Sequence, residues 1–533
     1  MFERLLQVRR DARERNDLRG LLDDCRQLLS ARGESNSLVI AARALERYRR
    51  LSPEAVARFF DALAAEFDPD PAEVLRRAES YAMTRAPDAL IELWRAAESP
   101  RQELLRRLNR APDATAQIVA MRARLVSRMQ THPELRAVEA EFQHLLSSWF
   151  NPGFLDLVQV DWSSPASLLE KLIQHEAVHR IDGWSDLRRR LEPDRRCFAY
   201  FHPALPGEPL IFVEVALLDA MPDAIAPLLD RREAVDARDD RFRVAAFYSI
   251  SNCQPGLRGV NLGDILIKRV AERLQAEQPK LKTFCTLSPV PGFAAWLSKL
   301  ESVRSLPTLQ APRVKPAVLR ELDDALRAMR ARYGHDLLAL VDASATSVCR
   351  AAANEGAGEA RADASFAGAD EGTRAGGSTR AGDAALVFVD GEGEGAIAAS
   401  DSATKARPNA ATSIAATDDD RSSTMDRFRV EPASPVPGDR DADLRTLQRL
   451  CALYLLQTSP TEQRPSDPVA RFHLNNGARL ERINVGADLS RKGLRQSLGL
   501  MVNYLYDLDQ IEANHERFVG DRVSASRAVL SLL

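Results

Sequence analysis

The sequence predicts an α+β protein in which an N-terminal helical region precedes a segment of mixed strands and helices. Helix-start signals recur through residues 1–190, short apolar runs typical of strands begin near Arg195, and a glycine-containing loop lies between a strand and a helix at 256–263. Runs of helices followed by strands favour two structural domains. We therefore expect an all-α bundle domain over 1–190 and an α/β domain over 191–533.

The helical prediction for the first domain depends on caps and periodicity. Ser52-Pro53, Asp70-Pro71 and Ser99-Pro100 each place a capping side chain before a proline at the first helical position,. Apolar residues then recur at helical spacing, as in Val56, Phe59, Phe60 and Leu63,. Helices of this kind bury one face, and several together predict a bundle.

The second domain opens with strand-like runs at Cys197–His202, Leu210–Leu217 and Val244–Ile250,. Helical periodicity over Asp264–Ala276 separates the third run from another at Leu281–Leu287. This order predicts an antiparallel start followed by a β-α-β crossover.

Residues 350–436 differ from the rest of the chain. They are rich in Ala, Gly, Asp, Ser and Thr and poor in large apolar side chains. Such a segment buries too little apolar surface to offset the entropy lost on ordering. We interpret it as a disordered insertion within the second domain, with ordered sequence resuming at the helix Leu444–Leu456.

Composition excludes several classes of protein. The formal net charge of the 533 residues is −3, so no overall basic field favours a nucleic-acid partner,. The six cysteines are scattered without a C-x-x-C pair, which is typical of a reducing compartment,. No apolar run approaches the roughly 20 residues that cross a membrane. We expect a cytoplasmic protein without a membrane partner.

One motif, His175-Glu-Ala-Val-His179, matches the H-E-x-x-H zinc signature on a predicted helix,. Its context does not fit a metalloprotease, because Asp182 and Ser185 stand where the metzincin signature has glycine and histidine,. We therefore expect no metal here and favour a structural position at a domain junction.

The glycine loop carries a second signal. A strand, a glycine loop and a helix together aim backbone N–H groups at a phosphate. The loop lacks the spacing of a Rossmann fingerprint and the Gly-Lys-Ser/Thr of a P-loop. It is similar to the pyrophosphate loop of acyl-CoA N-acyltransferases. The candidate substrate-binding residues are Gly256, Leu257, Arg258, Gly259, Val260, Asn261 and Leu262.

Two further blocks carry polar groups that could do chemistry. Thr286 and Ser288 lie at the end of a predicted strand, although hydroxyls at such positions often cap the next helix,. His473 is one of eight histidines and begins a polar stretch inside an apolar frame. Catalytic groups tend to be held in such surroundings.

The three blocks, in this order, resemble the malonyl-CoA decarboxylase family. The matching text includes Phe247-Tyr-Ser-Ile-Ser, Gly256-Leu-x-Gly259-Val-x-Leu-Gly263, Leu287-Ser-Pro-x-Pro-Gly-Phe293, Phe472-His-Leu-x-Asn-Gly-Ala and Asn503-Tyr504-x-Tyr506. The resemblance covers about 140–300 and 440–530 and, more faintly, the helical N-terminus, and the insertion departs from it.

The resemblance implies a helical oligomerisation domain, a homo-oligomer (dimer or tetramer) and a catalytic domain with the N-acyltransferase (GNAT) fold. It implies conversion of malonyl-CoA to acetyl-CoA and CO2 without a metal or organic cofactor, with CoA held by the 256–262 loop. The family's catalytic histidine maps onto His473 as proton donor, and its catalytic hydroxyl onto Thr286, with Ser288 in reserve. Tyr506 would orient the malonyl carboxylate or His473.

Cationic side chains are better placed on CoA phosphates than on the reacting carboxylate, because a clamp there would stabilise the ground state. The candidates are Arg258, Lys268 and Arg269. Two other functions stay open at this point. One is a CoA-dependent acyltransferase, and the other is a non-catalytic CoA-binding regulatory or scaffold protein.

Overall fold

A computed structural model describes residues 2–30, 36–129, 131–230, 241–260, 262, 266–306, 314–334, 337–341, 437–456 and 467–533. The insertion predicted at 350–436 lies outside these residues, as does Asn261. The chain divides into two compact units. The first comprises Met1–Val290, Val469–Asp488 and Leu500–Ser531, and the second comprises Pro291–Pro468, Leu489–Gly499 and Leu532–Leu533.

The first unit begins with helices, as the sequence predicts. They are α1 (Phe2–Leu29), α2 (Ser37–Arg49), α3 (Pro53–Glu66), α4 (Pro71–Thr84), α5 (Pro87–Ala97), α6 (Pro100–Leu108), α7 (Ala114–Met129), α8 (Arg136–Trp149), α9 (Ala166–His175) and α10 (Trp184–Arg190). Ser52, Asp70 and Ser99 cap α3, α4 and α6 through their side chains, and each helix has proline in its first turn. The cap predictions at these three sites are confirmed.

One strand lies within the region predicted to be entirely helical. β1 (Asp156–Val160) pairs antiparallel with β2 (Arg195–Phe201) and forms an edge of the sheet. Only its last residue is buried. The strand therefore depends on pairing with a distant segment, which its own five residues do not reveal.

The sheet contains eight strands among the described residues. The others are β3 (Ile211–Leu218), β4 (Val244–Asn252), β5 (Thr283–Thr286), β6 (Ser288–Pro289), β7 (Arg479–Asn484) and β8 (Met501–Tyr506). Strands β1 to β5 lie side by side in that order, β5 and β6 both pair with one edge of β8, and β7 pairs with its other edge. Helices α11 (Ala226–Leu229), α12 (Leu266–Glu277), α16 (Pro468–Asn475), α18 (Ile511–Val519) and α19 (Arg527–Leu530) accompany the sheet.

The sheet is antiparallel except for the pair β4 and β5, which α12 connects. The predicted antiparallel start and β-α-β crossover are therefore confirmed. The parallel pairing ends at Phe247 and Thr286, while β4 continues alongside β3 to Asn252. Beyond Phe247 the two parallel strands therefore diverge.

Apolar clusters hold the sheet to its helices. One cluster includes Leu169 and Leu172 of α9, Leu187 of α10 and Phe212 of β3, all almost fully buried. Burying each such side chain contributes about 1.5–3 kcal/mol. Cys253, which directly follows β4, belongs to the same cluster, so this packing holds the chain where the glycine loop begins.

The second unit contains α13 (Phe293–Lys299), α14 (Pro316–Tyr333), α15 (Pro437–Leu456) and α17 (Arg491–Ser497). The rings of Phe293, Trp296 and Tyr454 pack together with centroids 5.1–5.9 Å apart. No helix within the described part of the chain is both long enough and apolar enough to span a membrane.

Candidate active site

Four residues singled out from the sequence lie together in the first unit. Thr286 ends β5, Ser288 begins β6, Tyr506 ends β8, and His473 lies on α16. The Oγ of Ser288 is 2.9 Å from Thr286 Oγ1 and 2.9 Å from His473 Nε2. On the other side of the imidazole, Nδ1 is 2.9 Å from the Tyr506 hydroxyl. The four side chains form one continuous hydrogen-bonded chain.

Strand pairing explains why the hydroxyls of Thr286 and Ser288 lie next to each other beside the imidazole of His473. β5 and β6 pair with the same edge of β8 and are interrupted only at Leu287. Because side chains alternate along a strand, residues 286 and 288 project from the same face. The backbone N–H of Tyr504 on β8 donates to Thr286 Oγ1 at 3.3 Å. Thr286 is thus anchored to the sheet, and Ser288 contacts His473 directly.

The hydrogen bonds are consistent with one protonation pattern. Ser288 donates its proton to Thr286 Oγ1, so the Ser288 oxygen accepts from His473 Nε2. An imidazole that carries its proton on Nε2 has an acceptor at Nδ1, which receives the Tyr506 hydroxyl proton,. The chain therefore donates from Tyr506 through His473 to Ser288 and Thr286.

Burial sets the ionisation of this chain. His473, Thr286 and Tyr506 are all less than 4% exposed. Desolvation lowers the pKa of His473 from its ordinary 6.5 to about 3 and raises the pKa of Tyr506 well above 10,. At neutral pH both groups are uncharged, and both can donate a proton.

Aromatic neighbours fix the plane of the imidazole. The ring of Tyr504 stacks on His473 with centroids 4.5 Å apart and 27° between planes. Tyr504 and Tyr506 are separated by two positions in β8, so they share a face,. Sequence reasoning assigned no role to Tyr504, although this alternation could have indicated it.

A buried amide network holds the strand end that carries the hydroxyls. Asn503 Nδ2 donates to the carbonyls of Thr286 and Pro222 at 2.9 and 3.0 Å. Its Oδ1 accepts from Asn484 Nδ2 at 2.8 Å and from Arg482 Nε at 3.1 Å. Arg482 also donates to the carbonyl of Pro222. The guanidinium of Arg482 therefore helps to hold the backbone at Pro222.

The glycine loop follows β4 and contains a short 3₁₀ turn at Pro255–Leu257. Gly256 and Leu257 are buried, whereas Gly259 is exposed and has φ of 75°, which favours glycine,. Val260 N–H bonds to the Leu257 carbonyl at 3.0 Å, closing the loop on itself. The described loop residues therefore form a compact turn before α12.

The three candidate cations differ in their contacts. Arg258 is half-buried, and its Nη2 has no hydrogen-bond partner among the described residues. Lys268 pairs with Glu512 at 3.4 Å. Arg269 donates to the carbonyls of Pro152 and Leu155. Of the three, Arg258 is the one with a buried nitrogen that lacks a partner among the described residues.

The H-E-x-x-H segment is not helical throughout, so the predicted helix is wrong there. α9 ends at His175, and Glu176 is extended. The Glu176 carboxylate accepts from the N–H groups of Val178 and His179 and from the hydroxyls of Ser249 and Ser251. Such bonds compete with helix formation. Within the described residues, no three His, Cys, Asp or Glu side chains cluster where they could hold a metal ion.

The neutral His473 gives a prediction for acid stability. A folded-state pKa below the unfolded value means that the unfolded chain binds the extra proton between pH 6.5 and about 3,. Stability should therefore fall on acidification through this window, by up to about 1.4 kcal/mol per pH unit from this group. Urea unfolding of wild type and His473→Gln at pH 4–7 measures the difference. His132→Gln, at a partly exposed site, is the control. Parallel pH profiles for wild type and His473→Gln would contradict the prediction.

The fold is that of an α and β protein, with a helical region followed by a mixed sheet. At the strand ends, a buried chain of hydroxyl, imidazole and phenol groups provides a path along which a proton can move. Residues 67–150 match the family model for the malonyl-CoA decarboxylase N-terminal domain, and residues 153–361 and 402–533 match the model for the C-terminal domain. The chain belongs to the malonyl-CoA decarboxylase family.

Curated relatives include mitochondrial malonyl-CoA decarboxylases of Anser anser anser and Rattus norvegicus. They are 31% and 32% identical over 404 and 403 residues, which is 75% of this chain. The matched part spans only 62% and 63% of those relatives' own length.

Solved structures of malonyl-CoA decarboxylase from Rhodopseudomonas palustris and Agrobacterium vitis are also similar. Each is 38% identical, with TM-scores of 0.68 and 0.67. The similarity covers 96% of this chain and 98% and 99% of those chains.

Proposed function

We propose that this protein converts malonyl-CoA and a proton to acetyl-CoA and CO2. The observation that carries the proposal is the buried chain from Tyr506 through His473 to Ser288, in a member of the malonyl-CoA decarboxylase family. Decarboxylation needs a proton for the α-carbon and a donor for the thioester oxygen. A neutral imidazole between a phenol and a hydroxyl can supply both.

In the proposed decarboxylation, the bond between the carboxylate and the α-carbon breaks and CO2 leaves. The electron pair of that bond moves onto the thioester oxygen and forms an enolate. Nε2–H of His473 then donates its proton to the α-carbon while Nδ1 takes the Tyr506 proton. After the product leaves, Nε2 takes up a proton from solvent and Nδ1 returns its proton to Tyr506, which restores the starting state. The thioester is the electron sink, so the residues present need only place donors and exclude water.

Ser288 is the hydroxyl that we assign to the reacting group, in preference to Thr286. Its oxygen lies 2.9 Å from His473 Nε2, whereas Thr286 Oγ1 is occupied by the Tyr504 N–H and the Ser288 hydroxyl. A substrate oxygen that displaces the contact between Ser288 and His473 would accept from His473 Nε2, and also from the Ser288 hydroxyl once its proton turns away from Thr286,. Thr286 then orients Ser288.

The loop over residues 256–262 is our proposed CoA site, in an N-acyltransferase-like fold. Three features support it. The parallel strands β4 and β5 diverge beyond Phe247, which frees backbone groups of β4 for an extended ligand. The loop follows that strand directly, and it carries Arg258, whose buried Nη2 has no hydrogen-bond partner among the described residues.

A single assay tests the function. Purified protein is incubated with malonyl-CoA alone, and acetyl-CoA and CO2 are measured together. We expect equal amounts of both. An acyltransferase would require an acceptor and release free CoA without CO2, and a regulatory or scaffold protein would bind CoA without turnover. Either result would overturn the proposal.

We also propose a cytoplasmic homo-oligomer, a dimer or tetramer, with contacts through the helical region. The five cysteines in the described residues are free and buried, in keeping with a reducing compartment,. Helices α4 and α5 contain no buried residue. They expose apolar side chains, namely Leu75, Met83, Leu90, Ile91 and Trp94, which suits a subunit contact,.

A further inference from the structure

Two carbonyls of the glycine loop are held by side chains of the helical region. Arg122 on α7 donates from Nη1 to the Gly256 carbonyl at 2.8 Å. Gln143 on α8 donates from Nε2 to the Gly259 carbonyl at 2.8 Å. These residues precede the loop by more than 110 positions, with sequence separations of 134 and 116. The start and the middle of the loop are thus tied to the helices.

The backbone of the loop also rests directly on α7. A Cβ added to Gly256 would lie 1.9 Å from the Val119 carbonyl oxygen, so only glycine allows this approach,. At Gly259, an added Cβ would lie 3.2 Å from Gln143 Nε2. The two glycines predicted to serve a phosphate are therefore also the points where helices and loop meet.

The two contacts differ in rigidity. Arg122 is 2% exposed, and Glu139 on α8 accepts from its Nε and Nη2 at 3.1 and 2.5 Å. Glu139 therefore holds the guanidinium independently of the loop, because a planar group bonded through two of its nitrogens has little freedom to rotate. Gln143 is half-buried, and its bond lies near the surface. It can be changed with little risk to the fold.

We propose that Arg122 and Gln143 are positioning residues for CoA binding, which hold the glycine loop in the shape that receives the pyrophosphate. The inference rests on the proposed role of the loop. A preformed loop binds without first losing conformational freedom, so loosening it weakens substrate binding. The bond-breaking step depends on His473 and Ser288 and is unaffected. The helical region then has a part in substrate affinity as well as in architecture.

Gln143→Ala removes one hydrogen bond and is expected to raise KM for malonyl-CoA by roughly 2- to 12-fold, from the usual net worth of such a bond. Gln143→Glu should raise KM further, because a carboxylate would face the Gly259 carbonyl. In both variants kcat should stay within about twofold of wild type. Arg122→Lys keeps the positive charge but loses the fork, and should also raise KM.

Gln102→Ala is the matched control. It makes the same change within the helical region, at a side chain that accepts from Arg106. Its KM should equal the wild-type value. Hydrogen exchange without substrate is a second readout, in which Gln143→Ala should speed exchange at amides 256–260.

Gly259→Ala distinguishes a wrong assignment of the CoA site from a wrong assignment of the positioning role. Its φ of 75° strains any L side chain, so this change distorts the loop itself,. If Gly259→Ala leaves KM unchanged, the loop does not hold CoA and the proposed site is wrong. If Gly259→Ala raises KM while both Gln143 variants behave as wild type, the loop assignment stands and the positioning role is overturned. An equal fall in kcat and kcat/KM in the Gln143 variants would also overturn it.

Discussion

The His473→Gln enzyme is expected to lose about 10²- to 10⁴-fold in kcat for malonyl-CoA decarboxylation, the usual range for a positioned acid. Glutamine keeps a donor and an acceptor but cannot pass a proton from Tyr506 to the α-carbon. The imidazole is buried, and its two nitrogens bond to Tyr506 and Ser288. Acetyl-CoA formation at saturating malonyl-CoA measures the loss.

Binding must be measured beside turnover. The Kd for CoA should change little, because the proposed loop at 256–262 lies on a different segment from α16. His515→Gln is a suitable control, since the Nδ1 of His515 bonds to the Asn475 carbonyl, away from the reacting group of the proposed mechanism. Near-normal turnover in His473→Gln, with normal CoA binding, would show that another group supplies the proton.

Ser288→Ala and Thr286→Val are expected to have different effects. Ser288→Ala removes the hydroxyl that contacts His473 Nε2, and should lower kcat by about 10²-fold or more,. Thr286→Val keeps the shape of the side chain but leaves the Tyr504 N–H without its acceptor. An unsatisfied buried donor costs about 1–3 kcal/mol. Thr286→Val should therefore mainly lower stability, with a smaller fall in kcat.

Steady-state kinetics and urea unfolding of both variants separate these effects. Thr283→Val, at a half-buried position of the same strand, controls for the chemical change. The reverse result, with Thr286→Val inactive and Ser288→Ala near wild type, would return the catalytic role to Thr286. That is the assignment which the family resemblance implies.

The sequence predicts the order of elements in the second domain well. β2, β3, β4 and α12 all lie where alternation, turn residues and helical spacing place them. These signals are local, because each segment must bury one face whatever its partner. β1 was missed, since its five residues are mostly exposed and are held by pairing with β2.

Local sequence patterns do not predict where a helix ends when a side chain bonds to the backbone N–H groups that the helix would use. The helix through the H-E-x-x-H segment was predicted from its sequence, yet it ends at His175 because Glu176 bonds to two N–H groups and to two serines of β4. The serines lie more than 70 residues away. No short window could indicate that competition.

The amino-acid sequence by itself determined the helical region, the strand–loop–helix at the glycine loop, and the residue types that the site needs, through local periodicity and family motifs. Only the tertiary structure decided which of them meet. The pairing of β5 and β6 with one edge of β8 brings Ser288 within hydrogen-bonding distance of His473, and the ring of Tyr504 stacks on the imidazole. Contacts over such separations form only when the whole sheet closes, because the entropy lost in bringing distant segments together is offset by their combined burial.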